Sequence, residues 1–155
     1  MACSFHLRGQ GQEFPLSEMI KLIPDNVKGY WQEDESKSKQ IRVGTLTYSI
    51  CEKTFVSGTH SIKILLFDFR NAPIMYNQAM REWNNSHIVE SDSLILRYVS
   101  VENCTGWESY NKNRGSSRIF LGICDRFFLN LAGENVNLDE LKQVVKMIPL
   151  NKFPK

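Results

Sequence analysis

This sequence is poor in the features that usually announce a function. No strongly apolar run is longer than Ile64-Leu65-Leu66-Phe67, whereas a bilayer-spanning helix needs roughly 20 such residues. Charge of one sign is also missing. Acidic and basic residues are interspersed and the net charge is only +2, so no clustered basic face for a nucleic-acid backbone is expected. Glycines are scattered, and neither a dinucleotide-binding nor a nucleoside-triphosphate loop can be drawn from them. The four cysteines stand at 3, 51, 104 and 124, with no closely spaced pair and no histidine at finger spacing. No metal site and no cofactor are therefore expected. Nor is a signal peptide read at Met1-Ala2, which leads directly into mixed polar and apolar residues.

What is present fits one globular domain. A chain of 155 residues, 42% of them hydrophobic, can bury about two-thirds of its unfolded surface. Residues 1–14 show no periodicity and read as a flexible leader; residues 15–155 read as a single α+β domain. The mixed-charge stretch Glu33 to Lys39 reads as a solvated loop.

Periodicity supplies the elements. Ser17 is expected to cap a short helix carrying Met19, Ile20, Leu22 and Ile23, ended by Pro24. Residues 41–45 and 46–52 alternate, and the change of phase near Gly44 predicts a bulge or bend. Residues 61–69 are apolar in both phases, which predicts a central strand reached through a hairpin at Gly58-Thr59. Pro73, Tyr76, Ala79, Met80 and Trp83 define an amphipathic helix that stops at Asn84-Asn85-Ser86. A strand carries Leu94, Leu96 and Tyr98 on one side and Ile95, Val99 and Val101 on the other, and residues 106–110 add a short one. Residues 111–117 read as a polar loop. Residues 118–123 and 127–131 form a hairpin around Cys124-Asp125-Arg126. Asn137 with Glu140 reads as a capping box, opening a helix whose stripe is Leu138, Leu141, Val144, Val145 and Ile148. The sum is a mostly antiparallel sheet flanked by helices, with Ile62, Ile64, Leu66, Leu121, Ile123, Phe127 and Leu129 in its core.

Candidate chemistry is thin. His6, His60 and His87 all fall in loops or in the leader, and no nucleophile elbow is present. Cys104, in a glycine-containing turn, is expected to be the accessible thiol, with Cys51 and Cys124 as small core residues. Asp68 at the end of an apolar strand invites two readings: a carboxyl whose pKa is raised by burial, or a partner for Arg70 or Arg126. Trp31, Trp107 and Tyr110 have charged neighbours and are candidates for partner binding, against packing at the domain edge. No catalytic residue is assigned.

Several motifs carry a resemblance. Ile23-Pro24, Asp68, Gly106-Trp107 with Tyr110, Asp125-Arg126-Phe127 and Ala132 to Val136 resemble a pattern in uncharacterised small proteins and lipoproteins of the bacterial envelope. The element order is similar to the PsbP/Mog1-like layout. Cys3-Ser4-Phe5-His6-Leu7-Arg8-Gly9 is similar to the mature start of outer-membrane lipoproteins, which implies Cys3 as a lipid-attachment residue and a membrane contact only through that anchor. The expectation is thus a non-enzymatic periplasmic or envelope protein that binds a protein partner. The alternative is a cytosolic small enzyme or an immunity-type inhibitor with Cys104 or Asp68 in its site.

Overall fold

A computed structural model describes residues 14–84 and 87–155; the leader, with Cys3 and His6, lies outside the described residues except for Phe14. Among the described residues three α-helices, α1 (Leu16–Met19), α2 (Pro73–Asn84) and α3 (Leu138–Met147), accompany nine strands. The strands are β1 (Trp31–Gln32), β2 (Lys37–Val43), β3 (Leu46–Ser57), β4 (His60–Asp68), β5 (Val89–Glu90), β6 (Leu94–Val101), β7 (Cys104–Asn111), β8 (Ser116–Ile123) and β9 (Phe127–Glu134). They form one sheet in the order β1-β3-β4-β9-β8-β7-β6-β5, with β2 also on the outer side of β3. Every neighbouring pair is antiparallel. The fold is therefore α+β. After β4 the chain crosses along α2 to the far edge and returns strand by strand, until β9 closes the sheet against β4.

Alternation decides which side chains face which helix. One phase of β3, β4, β8 and β9 supplies Cys51, Phe55, Ile62, Ile64, Leu66, Ile119, Leu121, Ile123, Phe127, Leu129 and Leu131 to the main core. Against them lie Met19, Leu22 and Ile23 from the N-terminal helical turns, and Leu138, Leu141, Val144 and Val145 from α3. All seven core residues expected from the sequence are at most 1% exposed. The Asn137 side chain accepts from the backbone N–H of Glu140, and the Glu140 carboxylate accepts from the backbone N–H of Asn137, so the expected capping box is present.

The opposite phase faces α2 and is built mainly from aromatic rings. Phe69, Tyr76, Phe120 and Phe128 are buried there, with Tyr48, Phe67 and Trp83 packed around them. Trp83 stacks on Phe120 at 4.2 Å between ring centroids. Gly122 lets α2 sit this close: a Cβ there would fall 2.5 Å from the Tyr76 hydroxyl and 2.9 Å from the Met80 thioether.

Local differences from the sequence reading have physical causes. Gly44, at φ +60°, is half of a tight turn, because Val43 pairs directly with Leu46 across a hairpin. The phase change marked a chain reversal, which switches the strand and not merely the face. Ser17 lies inside α1, and Pro15 takes the cap position with no side-chain bond; its carbonyl accepts from Glu18 and Met19. The polar loop expected over 111–117 shrinks to the turn at 112–115, because β7 and β8 pair out to Asn111 and Ser116. Phe14, counted with the leader, packs edge-on against Phe127.

Candidate functional site

Three charged residues occupy the inward phase of strands on the α3 face, and each meets a partner. Asp68 continues the row Ile62, Ile64, Leu66 and receives a bidentate pair of bonds from Arg126, Nε to Oδ1 at 2.7 Å and a terminal nitrogen to Oδ2 at 2.6 Å. Both side chains are buried, and the Arg70 backbone N–H adds a third bond to Asp68 at 3.0 Å. The hairpin at Cys124-Asp125, both at positive φ, delivers Arg126 to the end of β4. This arrangement links two strand ends. It spends the carboxylate's lone pairs on arginine and leaves little of it to a substrate.

Lys53 lies between Cys51 and Phe55 in the inward phase of β3 and is 3% exposed. Its ammonium donates to the carbonyls of Ile23 and Pro24, at 3.0 and 3.2 Å, and to the Asp25 carboxylate at 2.8 Å. The C-terminal end of the N-terminal helical turns is thereby pinned to the sheet. The Lys53 contact also holds the Asp25 carboxyl below its ordinary value. Glu108, third of the set, accepts from Arg97 Nε at 2.6 Å and from Lys142 Nζ at 3.1 Å, tying β7 to β6 and to α3. The sequence reading missed Lys53 and Glu108. Their signal is a charge in the apolar phase of an alternating strand.

The cysteines exchange their expected places. Cys104 is buried at the start of β7, and Cys124 is exposed at the hairpin tip. Strand pairing extends back to Val101↔Cys104, drawing the supposed turn residue into the sheet. Burial, with Cys124 and Glu102 nearby, pushes the Cys104 thiol upward, and burial lifts Cys51 to about 11. Neither is a ready nucleophile at neutral pH, since the thiolate is the reactive form. Exposed His87 follows α2 and has no contact with Cys104 among the described residues. No metal-holding group of His, Cys, Asp and Glu occurs among the described residues.

The aromatic candidates separate. Trp107 is 1% exposed, on the α2 face, with the Tyr98 ring 4.0 Å away and Phe120 as its cross-strand partner. As a partner-binding residue it is corrected to a packing residue, because its inward-facing ring fills the sheet surface. Tyr110 is half-buried against the main core. Trp31 is 59% exposed. It pairs with Val56 on the outer side of β3, which places it on the α2 face of the sheet.

That face holds a site that no sequence motif marked. α2 ends at Asn84, and beyond it no described helix covers the sheet. The cross-strand row Ser109, Arg118, Ala132, Lys63, Thr54 follows from the pairing registers, as does the next row, Asn111, Ser116, Glu134, Ser61, Val56, Trp31. A polar groove of about 360 Å³ opens here, with Trp83 and Leu94 as apolar walls and Ser109, Asn111, Ser116, Arg114, Arg118 and Glu134 around it. Arg114 and Arg118 are exposed, and neither guanidinium has an ion-pair partner among the described residues. The Asn111 amide oxygen accepts from the Arg114 backbone N–H at 3.1 Å, shaping the turn that carries that arginine. Farther along, Lys63 is held by Glu52 at 3.1 Å. The arrangement offers two guanidinium forks, hydroxyl and amide groups and one flat ring, a set suited to holding an anion. Comparison with protein-family models, curated proteins and solved structures found no match for this chain.

Proposed function

We propose that this chain is a non-catalytic binding protein of the bacterial envelope, which engages a protein partner through the open half of its α2 face. The observation that carries this reading is the pair Arg114 and Arg118. Arg118 on β8 and Arg114 in the adjoining turn line one open groove with Ser109, Asn111 and Ser116, and lack ion-pair partners among the described residues. The buried strand charges on the α3 face, Lys53, Asp68 and Glu108, are, by contrast, committed to internal pairs. Trp31, exposed at the edge of the same face, adds an amphipathic contact of the kind enriched in binding surfaces. Glu134 in the groove and Glu52 on Lys63 interrupt the positive surface. That favours a localised carboxylate or phosphate on the partner over a nucleic-acid backbone, which calls for a continuous basic track.

The envelope location is supported by the resemblance of Cys3 to Gly9 to lipoprotein starts, with Cys3 as the acylated residue. The finer fold reading, a PsbP/Mog1-like layout, is supported by an antiparallel sheet with helices on both faces.

Titration of isotopically labelled protein with citrate and with inorganic phosphate, followed by amide NMR shifts, tests the site. The reading predicts saturable shifts centred on Ser109, Asn111, Ser116 and Arg118, abolished by Arg118→Glu. Shifts spread evenly over the surface lysines, or none at all, contradict it.

A further inference from the structure

A second surface, on the other side of the molecule, has the geometry of a strand receptor. β6 runs over eight residues, Leu94–Val101, yet its outer neighbour β5 pairs only with Ile95 and Leu96. From Arg97 to Val101 the outer edge of β6 has no strand partner among the described residues. Long exposed edges invite another strand, and proteins ordinarily blunt or cover them. Beside this edge a groove of about 440 Å³ runs between β6 and α3, with Val99, Val101, Ile119 and Val145 as its apolar lining and Lys142 and Lys146 along it. Val99 and Val101 share the strand phase that faces α3. A strand added to this edge therefore directs every second side chain into the groove and the others to solvent.

We propose that the β6 edge and the α3 groove together bind an extended segment of a partner polypeptide in which every second residue is apolar, with one Asp or Glu in that same alternating row. Main-chain bonds to β6 supply the affinity, and the alternate side chains supply the selection. Its inward side chains pack on Val99, Val101 and Val145, with a carboxylate meeting Lys146. That ammonium is exposed and has no ion pair among the described residues, while Lys142 is 3.0 Å from Glu108 and already engaged. The charge of the groove also argues against a second copy of this chain as the occupant. Pairing β6 with itself sets one lysine-bearing rim against another, with Glu102 the single acid in the lining. This site is distinct from the arginine groove on the α2 face and does not rest on it.

A displayed random heptapeptide library panned against the full chain supplies the probe. The expected result is enrichment of sequences with apolar residues at every second position and an Asp or Glu at one position of that same row. The best of these, made synthetically, should bind saturably and slow amide exchange in Val99 to Val101. Methylating its backbone nitrogens in one alternate phase should weaken binding at least tenfold, and methylating the other phase should leave it unchanged, since only one phase faces β6. Lys146→Glu should weaken binding at least fivefold, whereas Arg118→Glu should have no effect. Three results overturn the proposal: no alternating enrichment, equal sensitivity of both methylation phases, or a peptide-free dimer whose protected amides are those of the β6 edge.

Discussion

On the face covered by α3, the strands present Ile62, Ile64, Leu66, Leu121 and Leu129 to a closed core, and the charges that intrude there, Lys53, Asp68 and Glu108, are each within 3 Å of an opposite charge. On the face covered by α2, aromatic rings fill the half under the helix, and the other half is polar, open and lined by Arg114 and Arg118. The contrast separates two uses of charge. A buried ion without a partner costs several kcal/mol, so every charge on the closed face must be paired for the fold to exist. An exposed arginine is under no such demand.

The largest test of this comparison falls on Asp68. Asp68→Asn leaves Arg126 buried without its bidentate acceptor, and the loss expected for breaking such a pair is about 3–5 kcal/mol. Chemical denaturation measures it. A change below about 1 kcal/mol would place the pair in effective contact with water and remove the distinction between the faces.

Next in size is α3. Leu141→Ala should cost about 2–5 kcal/mol, because the side chain is fully buried and its loss leaves a cavity. Asn137→Ala removes only the cap and should cost about 1 kcal/mol. The reverse order in denaturation midpoints would mean that α3 is held by its own termination and not by the sheet.

A smaller effect sharpens the comparison through pH. Lys53 lowers the Asp25 carboxyl below its ordinary 3.8. A lowered folded-state pKa adds stability that is complete above the unfolded value, about 3.9, and is lost as pH falls through the folded one. The stability gap between the natural protein and Asp25→Asn should therefore be full at neutral pH and close below about pH 4. A gap unchanged at low pH would show that the Lys53 contact does not depend on the Asp25 charge.

Much of the closed face was legible in the sequence, because alternation and the 3.6-residue stripe report burial directly. The strand expected over 61–69 is present as His60–Asp68, the 118–131 hairpin is present with longer arms, and the Asn137–Glu140 cap is as expected. What misled was local chemistry overridden by pairing. Gly44 was read for phase when its positive φ makes a turn, and Cys104 was read as turn when β6 holds it in the sheet. Trp107 has a charged neighbour in Glu108, yet alternation sends that side chain to the opposite face and leaves the indole against Tyr98. The open groove left no motif at all. Trp83, Leu94 and the hairpin arms that carry Asn111 and Arg118 are separate along the chain, and only the strand register and the length of α2 bring them together.

The central claim is that the open half of the α2 face serves binding and not folding, and Arg118→Glu tests it in a single preparation. Its unfolding free energy and its binding of citrate and inorganic phosphate should be measured together with those of the natural protein. The account predicts an unfolding free energy within about 0.5 kcal/mol of the natural value and loss of anion binding. Retained binding, or a destabilisation well beyond that margin, would contradict it, the first by emptying the site of its function and the second by making Arg118 part of the fold.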